Sequence, residues 1–263
     1  QIAEALQCIA ALLPPATATV PDGAIALRWR KRRYLGMEQG ALQAVSHPAL
    51  IPFADLRHVD AQKEAIRRNT EQFVRGLPAN NVLLTGARGT GKSSLIRACL
   101  HAYADAGLRL VEVDKRDLVD LADLVALLEG RRERYIVFCD DLSFDASEVG
   151  YKELKVALDG SVAGRADNVL IYATSNRRHL MPEFMRDNLA ASYQDDGEVH
   201  PGEAVEERVS LSERFGIWLT FYPFRQDDYL DIVRHWLAEL GVPPAAHDAA
   251  HAEALQFALQ RGS

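Results

Sequence analysis

The stretch GARGTGKSS, Gly86–Ser94, constrains this chain more than any other part of it. It follows the short apolar run NVLL and precedes SSLIRACLHAYADA, which has the spacing of an amphipathic helix. The stretch matches G-x-x-x-x-G-K-[ST] at every fixed position and sits between a strand and a helix, as that pattern requires. The glycines at 86, 89 and 91 let the backbone curl so that successive N–H groups point inward at phosphate oxygens. The helix starting near Lys92 adds its positive end. Gly86, Ala87, Arg88, Gly89, Thr90, Gly91, Lys92, Ser93 and Ser94 therefore form a candidate phosphate cradle. Lys92 is placed to neutralise β/γ-phosphates and the Ser93 hydroxyl to take a Mg2+ position. The expectation is a bound nucleoside triphosphate.

The rest of the chain supplies a setting for such a loop. NVLL, RLVEV, YIVFCD, NVLIYATS and GIWLTFYPF read as five strands, with helical patterns between them, including DLVDLADLVALLEG and a helix near Lys152–Leu158. Strands alternating with helices of this length imply βαβ units and a parallel sheet. A further helical pattern, DLRHVDAQKEAIRRNTEQFVRG, precedes the first strand. From Arg225 onward the periodicity is helical only, broken at Gly241 and Pro243–Pro244. The division expected is 1–50 as an N-terminal extension with a helix and a basic segment, 51–224 as an α/β nucleotide-binding domain, and 225–263 as a helical lid.

Composition narrows the class. Hydrophobic residues make up 48% and charged residues 25% of 263, a balance suited to a globular protein with a sizeable core. No apolar run approaches the length of a membrane span. The opening IAEALQCIAALLPPA lacks a basic leader and carries Glu4, so it reads as a docked or amphipathic helix rather than a signal peptide. Cys8, Cys99 and Cys139 are scattered in apolar segments, as expected of reduced, buried thiols in the cytoplasm. A net charge of −7 argues against broad nucleic-acid affinity.

The strand YIVFCD ends in Asp140–Asp141, one strand–helix unit beyond the cradle. An acid at the end of a neighbouring buried strand suits a Mg2+ partner, assigned to Asp140. Asp141 is placed to orient or deprotonate an attacking water. The competing reading is that two Asp end a strand as a turn signal.

With these residues in view, the order and spacing resemble the AAA+ ATPases. VLIYATSN, Val169–Asn176, is similar to the strand of that family that ends in a polar sensor. The resemblance implies that role for Asn176, with Thr174 and Ser175 beside it. EERVSLSERFGIWLTFYPF is similar to the segment that carries an arginine finger in the replication-initiator and helicase-loader branch. By that resemblance Arg214 reaches the γ-phosphate of a neighbouring subunit, with Arg208 as second choice. NNVLLTGARGTGKSS, FCDDLSF and LSERFGIWLTFYPF together look like a bacterial AAA+ family of unassigned role. The likeness implies a five-stranded parallel sheet with a helical lid, ATP/ADP and Mg2+ as ligands, and a homo-oligomer with nucleotide between subunits acting on a partner. Two departures stand out. The usual catalytic acid is Glu, and Asp141 is one methylene shorter. AAA+ lids also present a further arginine, for which Arg261 is a poor candidate, so that residue is expected beyond Ser263.

Other signals are weaker. RWRKRRY, Arg28–Tyr34, packs five basic residues and two aromatics into seven positions, suiting phosphate backbones and base stacking. It equally suits a solvated strand edge, or a face that docks on the acidic remainder of the protein. The acid-rich DDGEVHPGEAVEE reads as a solvated loop, and His247 and His251 as structural. Phe53, Leu56 and the helix from Val59 are candidate walls for the base, and ATP is favoured over GTP because no guanine-reading N/TKxD appears. The activity expected is ATP hydrolysis coupled to a change of shape. The alternatives are an ATP-gated assembly switch with little or no turnover and, second, a P-loop kinase.

Overall fold

The computed structural model describes residues 19–34, 37–143, 149–159, 166–176, 192–193, 199–200 and 213–261. Arg208 and the expected N-terminal helix lie outside them. The strands are β1 (Ala26–Tyr34), β2 (Met37–Ala44), β3 (Val82–Gly86), β4 (Leu108–Glu112), β5 (Arg134–Cys139), β6 (Val169–Ser175), the short pair β7 (Ser192–Tyr193) and β8 (Val199–His200), and β9 (Ile217–Phe221). The α-helices are α1 (Asp60–Val74), α2 (Lys92–Tyr103), α3 (Leu121–Leu128), α4 (Val149–Asp159), α5 (Gln226–Glu239) and α6 (His247–Arg261).

The main sheet has seven strands in the order β2-β1-β4-β5-β6-β3-β9, not the five expected from sequence. The two extra strands come from the basic segment and the residues after it. β1 runs parallel to β4, with Ala26 opposite Leu110, and β2 returns antiparallel along β1. The other neighbours, β4-β5-β6-β3-β9, are all parallel. β7 and β8 form a separate antiparallel pair.

Burial explains which segments became central strands. Leu83 and Leu84 in β3, all of β6, and Tyr135–Cys139 in β5 are buried, as strands covered on both faces must be. Their alternate residues feed two cores. Val137, Cys139, Ile171 and Ala173 face Leu121, Leu124 and Leu128 of α3 and Leu154 of α4. Ile136, Phe138, Leu170 and Tyr172 face Ile66 and Phe73 of α1 and Leu95, Ile96 and Leu100 of α2.

A polar knot fixes the entry to β3. The Tyr172 hydroxyl, fully buried, accepts from Asn69 Nδ2 at 2.9 Å and lies 2.9 Å from Thr70 Oγ1. The Asn69 amide also bonds both backbone groups of Asn80, at 2.9 and 3.0 Å. The Asn81 side chain accepts from the Ile171 N–H at 2.9 Å. Buried polar groups demand partners of this kind. Together they tie α1, β3 and β6 at the end of β3 opposite the loop that follows it.

Candidate nucleotide site

The loop leaves β3 at Gly86, whose backbone lies against the end of β9. A Cβ there would sit 1.9 Å from the Phe221 carbonyl oxygen, and φ is +131°, so only glycine fits. The loop ends at Gly91, also at positive φ, and α2 begins at Lys92 with its N-terminal amides facing the cleft.

Three side chains organise what the loop encloses. Lys92 is buried, and its ammonium donates to the carbonyls of Gly86 (2.8 Å) and Ala87 (2.6 Å) and to Asn176 Oδ1 (3.1 Å). Burial lowers its pKa, opposed by the charges of Asp140 and Asp141 and reinforced by that of Arg88. Asp140 Oδ1 accepts from Ser93 Oγ at 2.7 Å and from Thr174 Oγ1 at 2.5 Å. Asp141 Oδ1 accepts from Asn176 Nδ2 at 2.6 Å, and its Oδ2 lies 3.7 Å from Arg88 Nη2.

Asn176 therefore spans the cleft, its oxygen on Lys92 and its amide nitrogen on Asp141. Asp141 adopts φ +52°, a left-handed conformation Asp tolerates better than most residues. Its N–H donates to Thr174 Oγ1 at 2.9 Å, and the Leu142 N–H donates to the Thr174 carbonyl at 2.7 Å. The Thr174 hydroxyl thus anchors both acids to β6.

These residues line one open cleft of about 390 Å³, formed by Arg88–Ser94, Asp140, Asp141, Thr174 and Asn176. The structure thereby brings together the loop, both acids and Asn176. Ser93 and Asp140 present hard oxygen donors side by side, which fits Mg2+. Arg214 does not line the cleft; its Nε donates to Asp159 Oδ1 at 2.6 Å, at the end of α4. Cys139, directly before Asp140, is free and wholly buried. Desolvation and then the Asp140 charge push its thiol up to about 12, so it serves packing rather than chemistry. Cys99 is likewise free and buried, its thiol pushed up to about 12 by desolvation.

Three features escaped the sequence reading. Thr174 was noted only as a neighbour of Asn176. The side chain of Arg88 reaches Asp141, although the motif speaks only for its backbone. The segment Phe53–Val59 is clasped to α5. Leu56 of that segment is buried at the Gly91 end of the loop. Arg57 Nη1 and His58 Nε2 meet Asp231 Oδ2 at 3.1 and 2.8 Å, His58 Nδ1 meets Asp228 at 3.2 Å, and His235 Nε2 meets Asp55 at 3.1 Å. The hydrogen bond from His58, then that from Arg57, holds the Asp231 carboxyl below its usual range.

A family model described as "Protein of unknown function (DUF815)" matches residues 22–263. The chain belongs to this family. No curated protein sequence matches it. Among solved structures, the Orc1 protein of Aeropyrum pernix in complex with DNA aligns with a TM-score of 0.51 and 19% identity, covering 80% of this DUF815 chain and 56% of that one. The FIGL-1 AAA domain in complex with ADP gives 0.49 and 19%, covering 72% and 61%. The RuvB Holliday junction branch migration motor of Thermotoga maritima gives 0.41 and 16%, covering 71% and 52%. The DUF815 chain thus spans little more than half the length of these structures. Its fold is that of an AAA+ P-loop ATPase.

Proposed function

We propose that this chain binds Mg·ATP and hydrolyses it to ADP and phosphate, with nucleotide state coupled to a change of shape that acts on a partner. One observation carries the reading: Lys92, Ser93, Asp140, Asp141 and Asn176, joined through Thr174 and drawn from three adjacent strand ends, form a single hydrogen-bonded network in one cleft. In this reading the loop amides and Lys92 hold the β- and γ-phosphates. Ser93 and Asp140 would hold Mg2+, which would offset phosphate charge. A water oxygen bonds to the γ-phosphorus while the bond from that phosphorus to the β–γ bridging oxygen breaks. Asp141 accepts the water proton, and Asn176 senses the terminal phosphate.

Arg214 completes the scheme in trans by leaving Asp159 for the nucleotide of a second copy. The division of the chain into a nucleotide-binding domain and a lid from Arg225, and its work in the cytoplasm with Cys99 and Cys139 reduced, are parts of the same proposal. Among the described residues no helix is long and apolar enough to cross a membrane.

A slow, ATP-gated switch is the second reading, favoured by the state of Asp141. Its carboxylate is held by Asn176 and faces Arg88, and its side chain is one methylene shorter than Glu. A displacement of about an ångström at a reacting group can cost ~10²-fold in rate.

For the partner, the basic strand offers phosphate contacts, and its Trp29 is not available for base stacking. Trp29 is buried and donates to Asp120 Oδ2 at 3.1 Å. Arg28 donates twice to Glu112, at 3.0 and 2.6 Å, and Lys31 meets Asp120 at 3.2 Å. Arg30, Arg32 and Arg33 remain exposed.

The test is ATP turnover per chain as protein concentration rises. A specific rate that climbs, and that Arg214→Ala abolishes, supports hydrolysis between copies. Tight Mg·ATP binding with negligible turnover at every concentration selects the switch. Failure to bind nucleotide overturns both.

A further inference from the structure

The phosphate loop carries a second cation that its motif does not require. Arg88 occupies a variable position of the loop and lines the same cleft as Lys92 and Ser93. Its side chain is 82% exposed, yet its Nη2 lies 3.7 Å from Asp141 Oδ2. A long side chain with that much freedom has another place to go. Its charge is also felt at Lys92.

The charges around the cleft explain why the placement matters. Lys92 and Arg88 face Asp140 and Asp141, two cations against two carboxylates. A terminal phosphate beside Asp141 sets like charges against each other, and the guanidinium is the group positioned to relieve that repulsion. Its planar fork suits phosphate oxygens. A diphosphate, lacking the terminal group, creates no such conflict.

We propose that the Arg88 guanidinium is a cis-acting cation for the terminal phosphate of ATP, exchanging between the Asp141 carboxylate and that phosphate. The exchange gives the chain a means of telling ATP from ADP without a second copy. This rests on the ATP reading above and extends it: Arg88 is a catalytic residue of the same chain, distinct from Arg214.

The experiment compares binding of fluorescent ADP and of the non-hydrolysable ATP analogue AMPPNP, with Mg2+, to wild type, Arg88→Ala and Arg88→Lys. The alanine variant is expected to weaken AMPPNP by ~10–100-fold, the scale of a charged hydrogen bond. ADP binding falls by less than about 3-fold, and Arg88→Lys recovers part of the AMPPNP loss because the charge remains. Melting temperatures of the three proteins show whether the fold is intact. Equal losses for both nucleotides, or none, overturn the role of Arg88 while leaving nucleotide binding in place. Wild type that binds neither nucleotide overturns the ATP reading and this inference together.

Discussion

The cleft and the clasp between Phe53–Val59 and α5 are made from the same kinds of side chain, but they hold in different ways. In the cleft, Lys92 and Thr174 are buried and every bond shares an atom or a residue with another, so loss of one member strands the rest. In the clasp, Arg57, His58 and Asp231 are about one-third or more exposed and their pairs compete with water and salt, whereas His235 and Asp55 are more shielded. The contrast teaches that one polar network in this molecule fixes the geometry of the cleft, while the other ties the segment before α1 to α5.

The sharpest way to break the comparison is Lys92→Ala. It removes three hydrogen bonds and the buried charge at the centre of the cleft. Turnover should fall by ~10²–10³-fold, measured by steady-state phosphate release, with nucleotide affinity reduced by titration. Near-normal turnover would mean that the network is not the reaction centre.

Thr174→Val tests whether the cleft is cooperative. It removes the hydroxyl that serves Asp140 and the Asp141 N–H while keeping the side-chain shape. A loss of about 1–3 kcal/mol in urea unfolding, together with a lower kcat, is the expected outcome. A change in stability with unaltered kcat would make Thr174 a packing residue only.

Asp231→Asn should have the smallest effect, under about 1 kcal/mol and fading in high salt, as surface pairs do. Its sign with pH can be worked out. The Asp231 carboxyl is held below its ordinary 3.8 in the folded chain, so its contribution is fully present above that value. The contribution is lost as pH falls through the lowered folded value. Wild type and variant should therefore converge in stability toward strongly acid pH. A gap that persists there would place the contribution elsewhere.

Which parts of the molecule could be read in advance follows from the same contrast. The loop was legible because its spacing encodes a strand–turn–helix geometry, and the buried runs YIVFCD and NVLIYATS declare central strands, the first of them ending at Asp140; Asn176 was singled out only through the resemblance of VLIYATSN to a family strand. β1 was not, because RWRKRRY has charges at most positions and shows no apolar alternation beyond Trp29. Its partners, Glu112 and Asp120, lie far along the chain and become visible only when β1 is laid beside β4. The clasp was hidden for the same reason, joining residues before α1 to residues of α5. Arg88 was hidden differently: the pattern treats its position as free, and nothing in a linear sequence shows where a side chain points.

The missing side chain at Gly86 has a mechanical consequence. With the Phe221 carbonyl where a Cβ would be, the first turn of the phosphate loop and the last residue of β9 touch backbone to backbone, with no compressible side chain between them. β9 is preceded by Arg214 and followed, after a few residues, by α5. The joint has almost no play, so a tilt of the loop is transmitted to a strand whose two ends carry the cation and the helix.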